Sequence, residues 1–419
     1  MVIPEGYKKT EIGIIPEDWD VVPLLEKCQL INGLTYHPTN VKPYGILVLR
    51  SSNIQNDDFA FTDNVFVDIE VSDNLLIKSE DILICVRNGS SSLIGKCAMA
   101  SKNYNATFGA FMAVLRGNNN GYIYQLLLQK TIQKAITKNS DSAINQITNG
   151  DLKKVQIPFP TAKKERDTIV SYLSDLDILI KGLNRLITKK KNIKQGAMQV
   201  LLTGKRRLPG FDEEWITINF IKKSKVKARI GWQGLKKSEY LDSGYAYLVT
   251  GTDFYNGAIS WNTCHFVEKE RYDIDRNIQI KNNDLLITKD GSLGKTALVT
   301  GLEYPATLNS GIFVVRPLNK SYVPAFVYYI LSSFVFREYL ERLSAGSTIV
   351  HLYQKDLDKF EFMIPPTEKE QVAIAEVLSD MDKEIEELEK KLTKYRNLKQ
   401  GMMSELLTGH IRLTEKEDA

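Results

Sequence analysis

The chain has 419 residues, 43% hydrophobic and 25% charged, with a formal net charge of +4. That length holds two or three domains with real cores, and the mild positive charge permits a polyanionic partner without requiring one. Four scattered cysteines (Cys28, Cys85, Cys97, Cys264) form no CxxC pair, which argues against a disulfide framework or a zinc site. The start MVIPEGYKKTEIG lacks the apolar core of a signal peptide, and the longest apolar run, Tyr322–Phe336, contains Pro324. That run is about fifteen residues, short of the ~20 a membrane span needs, so the expected compartment is the cytoplasm, with no membrane partner.

In chain order, the first landmark is Ile15-Pro16-Glu17-Asp18-Trp19, matched later by Phe211-Asp212-Glu213-Glu214-Trp215. Short strand-like runs then alternate with turn residues. Leu47–Leu49 corresponds to Tyr247–Val249, and Ile82–Cys85 to Leu285–Ile287, these last following Asp81 and Asp284. Tyr104-Asn105-Ala106-Thr107 matches Tyr304-Pro305-Ala306-Thr307, and both lead into apolar strands ending at Arg116 and Arg316. Tyr122–Leu128 and Phe326–Leu331 read as short apolar helices. Asp151-Leu152 and Asp356-Leu357 each precede one more strand.

The strongest repetition comes next. Residues 173–208 and 378–413 share 19 identities in 36 positions at a constant offset of 205, against roughly two expected from composition. The chain is a duplication. Ile169, Leu173, Leu176, Ile180, Leu183 and Ile187 recur at alternating spacings of 4 and 3. Ile374, Leu378, Met381, Ile385, Leu388, Leu392 and Tyr395 do the same, so each copy predicts a long helix with a coiled-coil seam. The first helix ends basic (Lys189, Lys190, Lys191, Lys194), and the second begins acidic (Glu370, Glu376, Asp380, Asp382, Glu384). Asp175 and Asp177 lie early in the first, and Lys390, Lys391, Lys394 and Arg396 late in the second. Antiparallel pairing brings unlike charges together.

The expected fold is α/β (α+β): two similar globular domains separated by two long helices that form an antiparallel coiled coil, with an internal pseudo-twofold repeat. The boundaries are domain 1–157, helix 158–207, domain 208–362, helix 363–413 and a solvated tail at 414–419.

Catalytic signatures are absent. The loop 286–296, LITKDGSLGKT, fails as a phosphate-binding loop because Lys289 stands where a glycine is needed. Ile364-Pro365-Pro366-Thr367 lacks the polar and aromatic residues of an amino-methyltransferase motif. His37, His265, His351 and His410 show no ligand spacing. No metal site and no catalytic residue is expected.

Three pairs of loops carry side chains suited to DNA. Gly33-Leu34-Thr35-Tyr36-His37 corresponds to Gly234-Leu235-Lys236-Lys237, and Arg50-Ser51-Ser52-Asn53 to Thr250-Gly251-Thr252-Asp253. The third pair is Arg87-Asn88-Gly89-Ser90 to Gly95-Lys96 against Lys289-Asp290 to Lys295. Arg, Lys, Asn, Thr and Asp hydrogen-bond base edges or phosphates. Candidate DNA contacts are therefore Thr35, Tyr36, Arg50, Asn53, Arg87, Asn88, Lys96, Lys236, Lys237, Thr250, Asp253, Lys289, Asp290 and Lys295. Each also has a plain reading as a solvated turn residue.

The architecture and motifs resemble the specificity subunit of type I restriction–modification systems across essentially the whole chain. The resemblance rests on Ile15–Trp19 and its degraded copy Phe211–Trp215, on Pro366–Gln371 with its looser copy Pro160–Arg166, and on the doubled Lys-Gln-Gly…Leu-Leu-Thr-Gly. It implies a non-enzymatic subunit whose globular domains are target recognition domains, each reading half of a bipartite asymmetric site in double-stranded DNA. It implies a helical spacer that docks two modification subunits, which bring S-adenosylmethionine and methylate adenine. Restriction subunits would add ATP- and Mg-dependent translocation and cleavage. No cofactor is implied for this chain. About 30 helical residues would span ~45 Å, or roughly 13 base pairs. Gln195, Gly196, Met198, Leu201, Gln400, Gly401, Met403 and Leu406 are the candidate docking residues, with packing of the helix ends as the competing role. The competing functions are a stand-alone DNA-binding cassette of the same architecture and a coiled-coil scaffold that binds proteins.

Overall fold

The computed structural model describes residues 3–138, 146–344 and 351–413. The expected tail at 414–419 lies outside them. The chain forms two compact units: one takes residues up to Asn184 together with those from Lys390 onward, and the other takes Arg185–Glu389. Each unit thus combines one globular repeat, the first part of the helix that follows it and the last part of the other helix. Contiguous domain boundaries miss this exchange of helix ends.

In the first unit, a four-stranded antiparallel sheet runs in the order Cys97–Met99, Ile82–Cys85, Met112–Arg116, Gln29–Asn32. A second sheet contains Ala106–Phe108 parallel to Ile46–Leu49, followed by Val65–Val67 and Val41–Lys42. The strands ILIC and MAVLR are apolar at nearly every position because the first sheet is covered on both faces. Ile82, Ile84, Ala113 and Leu115 pack toward the helices, while Leu83, Cys85, Met112 and Val114 enter a second core beneath the other sheet. This is the period-two alternation of a strand, with both faces buried.

The second unit repeats the plan. Its antiparallel sheet runs Ser224–Ala228, Ile312–Pro317, Leu285–Thr288, Thr296–Leu298, and Ala246–Val249 lies parallel to Ala306–Leu308. Leu285, Ile287, Phe313 and Val315 face one core, and Leu286, Ile312 and Val314 face the other.

In both units a bidentate ion pair ties together the ends of the two central strands of the antiparallel sheet. Arg116 donates through Nε and Nη2 to Asp81 at 2.7 and 2.6 Å, and Arg316 donates likewise to Asp284 at 2.7 and 2.6 Å. Each arginine also bonds a nearby carbonyl, Leu76 or Gln279. Such forked, charge-assisted bonds are stronger than neutral ones.

The long helices are Lys163–Leu201 and Glu368–Leu406, 39 residues each, with ends offset by 205. They are longer than the roughly 30-residue spacer expected. Within the first unit Lys399 bonds Asp177 at 2.6 Å and Arg396 bonds Asn184 at 3.3 Å. Within the second, Lys194 bonds Asp382 at 2.5 Å and Lys190 bonds Glu384 at 2.6 Å. Rising numbers on one helix meet falling numbers on the other, so the segments pair antiparallel, as the charge pattern predicts. Of the predicted seam, Ile169, Leu173, Ile374 and Leu378 are buried in the cores of the globular repeats, Leu183, Ile187, Ile385 and Leu392 are buried farther along the helices, and Leu176, Ile180, Met381, Leu388 and Tyr395 are half-buried.

The doubled Leu-Leu-Thr-Gly is a helix stop. Gly204 and Gly409 adopt φ of +67° and +74°, the left-handed conformation that ends helices cheaply only at glycine. The Arg206 amide then reaches back to the Val200 carbonyl, and the Ile411 amide to that of Glu405. Gly204 lies against the Trp215 ring, and Gly409 against Pro16 and Trp19. The tetrapeptide and the entry tryptophan are two halves of one joint.

Candidate nucleic-acid interface

In the first repeat, backbone hydrogen bonds gather the predicted loops at one end of the sheets. Gly33 crosses the Gly109 backbone so closely that an added Cβ would fall 2.1 Å from the Gly109 carbonyl oxygen, so only glycine allows the crossing. The Leu34 amide donates to the Phe108 carbonyl at 2.8 Å, and the Gly109 amide to that of Leu49 at 3.0 Å. Those bonds tie the loop with Thr35 and Tyr36 to the loop that begins at Arg50. Asn88 Nδ2 donates to Ser51 Oγ at 3.0 Å, which adds the third loop. Arg87 is exposed, with its guanidinium 5.2 Å from the centre of the Phe111 ring. Three loops predicted separately form one surface.

The second repeat builds the same cluster with different residues. The Asn309 amide donates to Val249 at 2.9 Å, and the Lys289 amide to Gly311 at 2.8 Å. Gly251 packs against the Thr288 side chain, which joins the second and third loops. Asn309 Nδ2 donates to the Tyr240 hydroxyl at 2.5 Å, bringing in the loop that carries exposed Lys236 and Lys237. The strand registers correct the sequence match: Arg229, not Gly234, stands at the position that Gly33 holds in the first repeat, and it is buried. It donates to the Leu308 carbonyl at 2.8 Å and to Thr307 Oγ1 at 3.2 Å, and burial pushes its guanidinium below its ordinary pKa. Asp290 pairs with His351, and Lys289 Nζ lies 5.6 Å from the centre of the Phe313 ring.

The sites differ from the sequence reading at several residues. Asn53 and Asp253 are 0% and 4% exposed. The Asn53 oxygen accepts the Arg50 amide at 3.0 Å, and its amide group donates to the Ala60 carbonyl at 2.9 Å. Asp253 accepts the Thr250 amide and hydroxyl at 2.8 Å each. Both hold their turns in shape and face away from solvent, because a short turn between strands needs an internal cap. Thr250 is itself engaged in that cap. Arg50 is bound to Asp63 at 2.8 Å, so part of its charge is compensated locally.

Lys96 and Lys295 sit at the far ends of their loops. Their backbones close the hairpins, the Cys85 amide donating to the Lys96 carbonyl and the Thr288 amide to the Lys295 carbonyl at 2.9 Å each, while adjacent Gly95 and Gly294 lie against Gln133 and Leu340. Phe111, Arg229, Tyr240, Asn309 and His351 belong to the clusters but escaped the sequence reading. Only Phe111 left a signal: an aromatic at an otherwise small-residue turn, Gly109-Ala110-Phe111.

At the helix ends, Gln195, Gly196, Gln400 and Gly401 are exposed, and Met198 is half-buried. Leu201, Met403 and Leu406 are buried in the cores of their own units. These three seal the helix end against the globular repeat and are closed to a partner in this fold.

A family model described as the type I restriction modification DNA specificity domain matches residues 16–194 and again 214–394. The chain belongs to that family. It is 29% identical to the putative type I restriction enzyme MjaX specificity subunit of Methanocaldococcus jannaschii, over 98% of this chain and 97% of that one. It is 24% identical to the EcoKI specificity subunit of Escherichia coli K12, over 95% and 90%. Among solved structures, the S subunit from M. genitalium superposes with a TM-score of 0.63 at 17% identity, covering 97% of this chain and 98% of that one. At that identity the superposition speaks for the fold alone. The family places this chain among DNA-recognition subunits that carry no catalytic centre of their own. Among the described residues, no helix is long and apolar enough to cross a membrane.

Proposed function

We propose that each globular repeat of this specificity subunit reads one half of a bipartite, asymmetric DNA site through its loop cluster. The carrying observation is that the same three-loop surface is built twice, on one scaffold, with different side chains: Thr35, Tyr36, Arg87 and Asn88 in one, Lys236, Lys237, Lys289 and Asp290 in the other. Equal scaffolds with unequal readers suit a site whose halves differ in sequence. The pseudo-twofold helices, with exposed Gln195-Gly196 and Gln400-Gly401, offer two like surfaces for two modification subunits. Those subunits would supply S-adenosylmethionine and methylate adenine, and restriction subunits would add the ATP- and Mg-dependent steps, all in the cytoplasm. A solved structure that addresses complex assembly and conformational transition of the type I restriction–modification system superposes with a TM-score of 0.51 at 17% identity, which supports the fold on which this reading rests.

The test is to co-express the chain with a modification subunit encoded beside it and map methylated adenines across the host genome. A two-part motif with an unread gap is expected. Methylation at a continuous, ungapped motif would contradict the two-reader account.

A further inference from the structure

Phe111 is 55% exposed at the centre of the first repeat's loop cluster. It is a large apolar ring on a surface that otherwise carries Thr35, Tyr36, Ser51, Arg87 and Asn88. Its backbone is fixed: the Phe111 carbonyl accepts the amides of Val86 and Arg87 at 3.0 and 3.1 Å, and Met112 begins a buried strand. The ring is therefore presented on a rigid seat. In the second repeat the Lys289 amide makes the equivalent bond to Gly311, which has no side chain. The feature belongs to one half of the molecule only.

We propose that Phe111 is a specificity-determining residue that makes apolar contact with the 5-methyl group of a thymine in the half-site read by the first repeat. This rests on the DNA-reading role proposed above. The Arg87 guanidinium lies over the ring at 5.2 Å and occupies one of its faces. A ring that wedges between base pairs needs both faces free for the flanking bases, so the arrangement favours a lateral contact over intercalation. In the major groove the thymine methyl is the one apolar feature that distinguishes a base, and phenylalanine is among the side chains that contact it. Arg87, oriented by the same ring, lies beside it with the fork geometry that suits a guanine edge.

The experiment uses the full chain assembled with its modification subunits, and duplexes carrying the mapped motif in which each thymine in turn is replaced by deoxyuridine. That exchange removes only the methyl group. At one position, in one half-site, wild type should lose affinity about fourfold, the factor expected for one methyl-sized group returned to water. Phe111→Ala should bind the unmodified duplex equally weakly and be indifferent to the exchange, and Phe111→Leu should retain part of the discrimination. Gly311 at the matching position shows that the turn tolerates a small residue, so Phe111→Ala keeps the fold. If no thymine position separates wild type from Phe111→Ala, the proposal is overturned. Enhanced fluorescence of 2-aminopurine at a flanking step, lost in Phe111→Ala, would overturn it in favour of a wedge. Failure of wild type to prefer the motif over a shuffled duplex would instead remove the DNA-reading role itself.

Discussion

Arg412 closes the first unit, and its removal has a calculable cost. Its Nε and Nη2 donate to Glu165 at 2.6 and 2.9 Å, and its Nη1 and Nη2 donate to Asp18 at 2.8 and 2.7 Å. The Glu165 side chain is 2% exposed and Asp18 is 55% exposed. Arg412→Ala therefore strands a buried carboxylate, with the Trp19 indole N–H at 3.1 Å among its remaining donors. Removing one partner of a buried pair costs about 3–5 kcal/mol, and the surviving indole bond argues for the lower end. The exposed Asp18 arm adds little, since water and salt screen it. Glu165→Gln should cost less, about 1–2 kcal/mol, because the arginine keeps access to solvent and to Asp18. Hydrogen exchange in the strands Trp19–Pro23 and Gln156–Pro160 reads the effect locally. A loss of about 3 kcal/mol speeds exchange there on the order of a hundredfold. The double variant should recover part of the loss, which gives a coupling of at least about 1 kcal/mol. Less than a threefold change in Arg412→Ala, with no coupling, would show that the clamp contributes nothing.

Other outcomes follow from the same geometry. Leu201→Asp and Leu406→Asp place a charge in buried positions and should abolish soluble folded protein, whereas Gln195→Glu with Gln400→Glu should leave circular dichroism unchanged and weaken co-purification of the modification subunit. Recovery of folded Leu406→Asp would contradict the packing described. The hydrogen bond from Arg271 lowers the Glu239 pKa from its ordinary 4.5 to about 2. A depressed folded pKa stabilises fully above pH 4.5 and loses that contribution as pH falls toward 2. The urea midpoint of Arg271→Ala should therefore lie below wild type at pH 7, and the gap should narrow at pH 3; a constant gap would refute the assignment. Affinity for DNA should fall steeply and linearly in log–log form as salt rises, with a shallower slope after Arg87→Ala. A salt-independent affinity would favour a protein-binding scaffold.

The duplicated helices were legible because a coiled-coil seam is a strong periodic signal and the offset of 205 is constant. Their pairing direction was also legible, since Lys194, Asp382 and Asp177 sit where charge complementarity demands. The exchange of helix ends between units was not. It depends on Arg207 reaching Glu370 and Arg412 reaching Glu165, contacts that join residues 163 and 247 positions apart. Loop convergence was half legible: the three loops were found by chemical character, but only the backbone bonds at Gly109 and Asn309 show that they meet. Asn53 and Asp253 misled because the side chains that hydrogen-bond bases are the same ones that cap tight turns. Leu201 and Leu406 misled for a related reason. Repetition marks a shared structural need as readily as a shared partner.

The central claim is that each loop cluster reads its own half-site. The most direct measurement is the methylated-adenine map of cells expressing the partner with a chain in which Lys236, Lys237 and Lys289 of the second repeat are replaced by alanine. All three are solvent-accessible, so the fold should survive. One half of the motif should become degenerate or be lost while the other half is read unchanged. Equal degradation of both halves, or an unaltered motif, would contradict the account.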